Sequence, residues 1–178
     1  MKKLFILLFC LTIVSSCGTS TSDTATKTFE GTGFNINIPS SWINVESKDI
    51  PNPQNGKIEL ALTSSEISTG FANNMVILSE ELKEVTDSKG YAITNYLRTT
   101  GSVLEFIKLN ETNFNFIDKD EGKMYTFEAK YNTETPKRKF IQTAKVCDKK
   151  AYLITIGISL DITDVSKYEN LLKSFECK

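Results

Sequence analysis

Apolar and polar residues alternate over short segments of this chain, which is the pattern of β-strands that bury one face. The clearest example is 34–38, where apolar residues alternate with asparagines, and 58–63 and 75–82 also have the length and composition of strands. Four more segments of this kind follow at 103–117, 123–131, 139–147 and 151–159. Short turn-forming clusters separate these last four, so they are predicted to form consecutive hairpins, an antiparallel meander.

Two segments carry apolar residues at helical spacing. In 87–100, Ala92, Ile93, Tyr96 and Leu97 are predicted to share one helix face, and a glycine follows as a stop. The C-terminal segment has the same kind of spacing, with a predicted capping box of Ser166 and Glu169, three residues apart. Together with the meander, these helices predict an α+β fold in which helices cover a twisted antiparallel sheet.

The N-terminus has a different pattern. Lys2 and Lys3 precede a mostly apolar run over 4–14, which is too short for a permanent membrane-spanning helix. The segment Val14-Ser15-Ser16-Cys17 resembles the bacterial lipobox, which implies a diacylglyceryl group on the Cys17 thiol and cleavage before that residue. The alternatives are an ordinary secretory peptide with an incidental cysteine, or an uncleaved signal anchor.

These patterns divide the chain into three parts. Residues 1–16 are predicted to be a lipoprotein signal peptide, and 17–27 the lipidated Cys17 with a flexible tether of small polar residues. Residues 28–178 are predicted to form one globular domain. The expected location is the extracytoplasmic side of a bacterial cell membrane or outer membrane, with the lipid as the link to the bilayer.

The charge balance is slightly acidic. The chain has 21 Lys+Arg against 22 Asp+Glu, so loss of Lys2 and Lys3 with the signal peptide leaves a net charge near −3. Nucleic-acid binding is therefore disfavoured, because it needs a concentrated positive face. Basic residues do cluster near two turns, where they could attract anionic headgroups or simply be solvated: Lys137, Arg138 and Lys139, and Lys145, Lys149 and Lys150.

Two cysteines, Cys147 and Cys177, lie in the predicted domain. An even pair in an exported protein predicts a disulfide, which would join the end of a strand to the C-terminus. Two unpaired thiols remain the alternative, because sequence alone does not place the Cα atoms close together. A metal site is disfavoured, since closed zinc sites take four ligands and the chain has no histidine.

No motif in the chain predicts catalysis. The absence of histidine removes the usual general base near neutral pH and excludes hydrolase triads that depend on it. The acidic segment 118–122 does not match an EF-hand loop, because its glycine comes one position too early and no glutamate stands at the twelfth position. A solvated hairpin tip is therefore predicted there. No catalytic residue, metal or cofactor is therefore expected.

Three aromatic residues, Trp42, Tyr91 and Tyr96, are candidates for a ligand or partner surface. Aromatic rings with a polar atom are common in binding clefts. The alternative is packing alone, because aromatic residues at strand or helix spacing usually belong to the core.

Several local motifs resemble the PsbP-like superfamily. They include the strand that runs into Pro39-Ser40-Ser41-Trp42, the tyrosine-rich helix after 75–82, and the Tyr168 helix that ends in Lys173-Ser174-Phe175. The resemblance covers 28–178 and implies an α/β/α sandwich around an antiparallel sheet. Many bacterial members of that superfamily are lipoproteins, and its photosynthetic members are non-catalytic accessory subunits, although nothing in this sequence indicates photosynthesis.

The expected function is a non-catalytic accessory module that docks against another envelope protein. A lipoprotein with a pocket for a small molecule or lipid between helix and sheet is the first alternative, and an enzyme that uses carboxylates is the second. A filled sandwich would favour docking. A cavity of about 300 Å³ or more with a few convergent polar groups would favour ligand binding.

Overall fold

The computed structural model describes residues 25–46, 50, 53, 55–68 and 70–178. The predicted signal peptide, Cys17 and most of the predicted tether lie outside the described residues. Within the described ranges, no helix is both long enough and apolar enough to cross a bilayer.

The described residues form ten strands and two helices. In chain order they are β1 (Thr26–Gly31), β2 (Phe34–Pro39), β3 (Ile43–Asn44), β4 (Lys57–Ser68), β5 (Phe71–Glu81), α1 (Ser88–Ser102), β6 (Leu104–Asn115), β7 (Glu121–Lys130), β8 (Arg138–Cys147), β9 (Lys150–Ile158), α2 (Ser166–Lys173) and β10 (Glu176–Cys177).

These strands form two sheets in the part of the chain that is described. Seven strands pair in the order β3-β4-β5-β9-β8-β7-β6, and three pair in the order β1-β2-β10. Every pairing is antiparallel. The strands β6, β7, β8 and β9 are the predicted meander, joined by short turns.

The alternation of side chains along β9 shows how the layers are arranged. Ile154 and Ile156 enter the main core, which also contains side chains of β2 and α2, whereas Ala151 and Leu153 pack with Tyr91 of α1. Successive strand residues point to opposite faces, so α1 covers one face of the large sheet, and α2 with the small sheet covers the other. The α+β fold is confirmed. The layer that covers the second face of the large sheet is formed by α2 and the small sheet together.

Both helices differ in detail from the sequence prediction. Helix α1 begins as expected, with the Asp87 carboxylate accepting a hydrogen bond from the Gly90 amide at 2.6 Å. Its buried face includes Tyr91 and Asn95, whereas Leu97, predicted on that face, is 62% exposed. The predicted capping box of α2 is wrong, because Ser166 is the first helical residue and Asp164 accepts its amide hydrogen bond at 2.9 Å.

Two short elements had no sequence signal. Strand β1 is mostly exposed, so it shows no alternation and is defined by its pairing with β2. Thr26 and Lys27, predicted to belong to the flexible tether, are part of this strand. Strand β10 has two residues and pairs with the opposite edge of β2.

The predicted disulfide is confirmed. Cys147, at the end of β8, is bonded to Cys177 in β10, with a Cα–Cα distance of 5.6 Å. The bond therefore ties the small sheet to the large one.

Candidate functional site

A groove with a volume of about 340 Å³ opens between α2, β2 and the neighbouring ends of β4 and β5. We call it the α2 groove. Trp42, Pro39, Tyr168 and Leu171 give it an apolar lining. Its other described lining residues are polar or charged: Thr26, Asn37, Ser64, Glu66, Asn73, Lys167 and Asn170.

The aromatic wall of the groove is held firmly in place. Trp42 and Tyr168 are 4% and 2% exposed, and their rings lie 6.5 Å apart at 41° to each other. The Tyr168 hydroxyl accepts a hydrogen bond from the Asn73 side-chain amide at 3.0 Å, and Asn73 Oδ1 accepts one from the Ser159 backbone amide at 3.1 Å. These bonds fix the ring edge against β5, so the wall is formed before any ligand arrives.

The polar rim keeps hydrogen-bonding groups available. Asn37 Oδ1 accepts a hydrogen bond from the Thr28 hydroxyl at 3.1 Å, and the Asn37 backbone amide donates to Ser174 Oγ at 2.9 Å. Among the described residues, none accepts a hydrogen bond from the Asn37 side-chain nitrogen or from the Trp42 indole N–H. Both donors belong to residues that line the groove.

Opposite charges flank this wall. The Lys167 ammonium lies 4.9 Å from the centre of the Tyr168 ring, and Glu66 lines the groove from β4. The Ser64 hydroxyl oxygen accepts a hydrogen bond from the Glu66 backbone amide at 3.0 Å, which fixes the turn of β4 that carries the carboxylate. The groove therefore has one described group of each sign.

The three predicted aromatic residues do not form one surface. Trp42 lines the α2 groove, whereas Tyr91 and Tyr96 are buried on the far side of the sheet, at 7% and 8% exposure. The prediction of a shared surface is wrong, because positions 91 and 96 lie on the face of α1 that packs against the sheet. Burial, and a hydrogen bond from the Tyr91 hydroxyl to Glu80 at 2.5 Å, raise the pKa of Tyr91.

The acidic turn after β6 is not simply a solvated hairpin tip. Lys145 is buried, and its ammonium lies 2.8 Å from Asp118 Oδ1 and 2.9 Å from Asp120 Oδ2. The Ser88 hydroxyl also donates to Asp120, at 2.5 Å. Burial raises the pKa of Asp120, but the hydrogen bonds from Ser88 and Lys145 outweigh it and leave this pKa lowered. This cluster joins α1, the turn and β8.

Most lysines of the two basic clusters are paired, so they are not simply solvated. Lys139 donates to the backbone carbonyls of Leu160 and Ile162. Lys150 lies 2.8 Å from the buried Glu59 carboxylate. Lys137 pairs with Glu105 at 3.4 Å and Arg138 packs over the Phe71 ring, so neither turn presents a concentrated positive face for headgroups. Over the same described ranges, no group of three or more cysteine, aspartate or glutamate side chains is placed to hold a metal ion.

Trp42 was predicted from the sequence as a site residue, whereas the other described residues of the α2 groove were not. Asn37 has a sequence signal, since it occupies an outward position between the buried Ile36 and Ile38. Asn170 and Lys167 have no sequence signal, because the sequence pattern of an exposed helix turn is the same whether or not a groove lies beside it.

Neither a family model nor a curated protein matches this chain. Among solved structures, it is similar to cyanobacterial PsbP (CyanoP) from Synechocystis sp. PCC 6803, with a TM-score of 0.61, 12% identity, and coverage of 93% of this chain and 99% of that one. The fold is PsbP-like. A second similar structure is PA94 from Pseudomonas aeruginosa, a protein of unknown function described as a putative regulator. Its TM-score is 0.52 at 11% identity, with coverage of 83% and 91%. At these identities the likenesses establish the PsbP-like fold alone.

Proposed function

We propose that this chain is a lipid-anchored, non-catalytic binding module on the extracytoplasmic side of a bacterial membrane, and that the α2 groove is its binding site. The observation that carries the proposal is the groove itself, about 340 Å³ in volume with polar groups around an aromatic wall. That size lies within the range of small-molecule sites, roughly 300 to 1,000 Å³. The groove therefore favours ligand binding over the docking function that the sequence led us to expect.

The proposed anchor sits close to the groove along the chain. Thr26 lines the groove and is nine residues after Cys17. Nine extended residues span at most about 32 Å. A lipid on Cys17 would therefore hold the groove near the bilayer surface, where it meets envelope components.

The charged groups of the groove support a non-catalytic role. Glu66 is the carboxylate among the described lining residues, and general acid–base chemistry by carboxylates uses a pair with pKa values driven apart. The chain has no histidine to take the second role. Recognition of a ligand requires neither a second carboxylate nor a histidine.

The anchor is tested by expressing the full chain in a bacterium and separating soluble from membrane fractions. We expect Cys17→Ala to move the protein out of the membrane fraction or to leave its leader uncleaved, because the lipid cannot be added. Cys10→Ala is the matched control and is expected to remain lipidated. Mature, membrane-bound Cys17→Ala protein would contradict the anchor.

The binding site is tested in the same cells with a photoreactive amino acid at Asn170, which lines the groove, and with a control at Leu97, which is exposed on α1. We expect a light-dependent adduct at Asn170 with a small added mass, and none at Leu97. An adduct of protein size would overturn ligand binding in favour of docking. Equal yields at the two positions would contradict the site.

A further inference from the structure

Exposed apolar side chains lie at one end of the large sheet. This end holds the turns that join β4 to β5 and β7 to β8, and we call it the β7–β8 end; the opposite end, which holds the turn between β8 and β9, is the β8–β9 end. Ile67 and Tyr131 lie beside the two turns of the β7–β8 end, and each is 73% exposed. Leu104 begins β6 and Leu160 follows β9 at this same end, at 43% and 39% exposure. These side chains are outside the core, so they can contact a surface beyond the domain.

The chain enters the domain at the β7–β8 end. Thr26, the first residue of β1, lines the α2 groove together with Glu66 and Asn73, which lie close to the β4–β5 turn. Thr26 is nine residues after the proposed lipidation site, Cys17, and nine residues span at most about 32 Å when fully extended. Strand β5 alone has 11 residues and is about 35 Å long. With the β8–β9 end on the bilayer, Thr26 would be farther from the lipid than this reach, so the anchor favours the β7–β8 end as the one near the membrane.

Charged groups of the β7–β8 end are paired within the domain. Lys130 and Lys137 both pair with Glu105, at 2.5 and 3.4 Å. The Arg138 guanidinium lies 4.3 Å from the centre of the Phe71 ring. Because these cations already have partners, attraction to anionic headgroups is not the main contribution expected from this end. A membrane contact here would depend on the apolar side chains.

The spacing of these apolar side chains fits a lipid surface better than a protein partner. Ile67 is on β4 and Leu104 is on β6, with four strands between them, which corresponds to roughly 24 Å. Protein interfaces concentrate their apolar contacts in one central patch. The interfacial region of a bilayer instead accepts separate apolar and polar groups side by side, and tyrosine, the residue type at position 131, is enriched there.

We propose that the β7–β8 end docks on the phospholipid surface, with Ile67, Leu104, Tyr131 and Leu160 entering the headgroup region. The inference rests on the proposed lipid anchor and adds the orientation of the domain on the membrane. It also places the α2 groove next to the headgroups, because Glu66 and Asn73 line that groove near the same strand ends.

The mature lipoprotein is suited to site-specific labelling. Of its four cysteines, Cys10 leaves with the signal peptide, Cys17 carries the proposed lipid, and Cys147 is bonded to Cys177. A cysteine introduced into the domain is therefore the single free thiol, and it can be labelled with the environment-sensitive fluorophore nitrobenzoxadiazole (NBD).

Two labelled variants compare the ends of the sheet. Thr133→Cys places NBD in the β7–β8 turn, and Lys149→Cys places it in the β8–β9 turn as the matched control, because both residues are exposed. Each lipoprotein is inserted into the outer leaflet of phosphatidylcholine vesicles, with or without a phosphatidylcholine that carries a doxyl quencher. We expect the doxyl lipid to quench NBD at position 133 and to leave NBD at position 149 unchanged, because only the first label lies at the headgroups.

Substitutions at the two ends test the apolar side chains themselves. With the label at position 133, Ile67→Ser, Tyr131→Ser is expected to lower the ratio of docked to undocked protein by about tenfold and so to remove most of the quenching. The matched control is Val85→Ser, Ile117→Ser, which removes two exposed apolar side chains from the turns at the β8–β9 end. It is expected to be quenched like the wild type.

Equal quenching at positions 133 and 149, or none at position 133, would overturn the inference. Unchanged quenching in the Ile67→Ser, Tyr131→Ser variant would do so too. Quenching that requires phosphatidylglycerol in the vesicles would replace the apolar contact by headgroup attraction and overturn it. A blue shift of NBD emission in native membranes, without one in pure lipid vesicles, would assign this end to a protein partner and likewise overturn it.

Failure of the anchor gives a different result. Lipoprotein that does not sediment with the vesicles would reject the anchor, and the docking with it. Lipoprotein that sediments with the vesicles but is not quenched at position 133 would leave the anchor intact and reject the docking alone.

Discussion

The two faces of the large sheet are covered in different ways. On the α1 face, aromatic rings pack directly on each other: Tyr96 stacks on Tyr125 with centroids 3.7 Å apart, and Phe127 lies beside Phe140 at 5.4 Å. On the opposite face, Phe34 and Phe175 also stack, 4.9 Å apart, but Trp42 and Tyr168 are 6.5 Å apart, and the α2 groove opens beside them. Aromatic residues therefore fill the layer under α1, whereas on the opposite face they also line the α2 groove.

Helix length explains much of the difference. Helix α1 has 15 residues and contacts β7, β8 and β9, whereas α2 has eight and shares its layer with the small sheet. A short helix beside a small sheet leaves a gap where their edges diverge. We therefore expect substitutions on the α1 face to change stability, and substitutions in the groove to change binding.

The largest expected effect is on the closed face. Tyr96→Ala removes a ring from the aromatic stack and should lower the free energy of unfolding by about 4 kcal/mol, as for other large-to-small core changes. Asn170→Ala in the groove should change it by less than about 0.5 kcal/mol, because that side chain is exposed. Urea unfolding of both variants measures the contrast, and equal losses would contradict it.

Loss of the disulfide should act mainly on the open face. The Cys147–Cys177 bond closes a loop that includes α2, and its removal should cost about 3 to 4 kcal/mol. In the Cys147→Ser, Cys177→Ser double variant, we expect amide hydrogen exchange to rise in β10 and α2 before it rises in α1. Uniform acceleration across both helices would show that the bond does not act locally.

The Lys145 cluster is expected to contribute somewhat less. Lys145→Ala leaves Asp118 and Asp120 without their cation, but these carboxylates are partly exposed and can be rehydrated, so we expect a loss of about 2 to 3 kcal/mol. Lys89→Ala breaks an exposed pair with Glu121 and should cost less than about 1 kcal/mol. Equal stability of the two variants would show that the buried Lys145 ammonium contributes no more to the free energy of unfolding than the exposed Lys89–Glu121 pair.

The sequence predicted the parts of this molecule that depend on local patterns. The meander, α1 and the disulfide all follow from alternation, helical spacing and cysteine pairing. Burial of Lys145 was readable too, because it shares the inward parity of Ile141 and Thr143 along β8. The α2 groove could not be predicted in this way, because it lies between elements that are distant in sequence and do not pack fully against one another.

The smallest effect on stability is expected from acid. Burial raises the pKa of Glu59, but hydrogen bonds from Lys150 and Ser79 outweigh it, so the pKa of Glu59 is lowered, as is that of Asp120. A lowered pKa in the folded state contributes stability that is complete above the ordinary values of 4.5 and 3.8, and this contribution is lost as the pH falls from these values through the lowered pKa of the folded protein. Urea midpoints should therefore drop as the pH falls below about 5.

The variant Glu59→Gln, Asp120→Asn isolates these two groups. It should begin less stable near neutral pH, and its midpoint should fall less steeply on acidification than that of the wild type. A slope equal to that of the wild type would assign the acid sensitivity to other carboxylates.

The contrast between a closed face and an open one is tested most directly by photo-cross-linking in living cells. The account predicts a light-dependent adduct of small mass at Asn170 in the groove and none at Leu97 on α1. Equal labelling of the two positions, or an adduct at Leu97 alone, would contradict it.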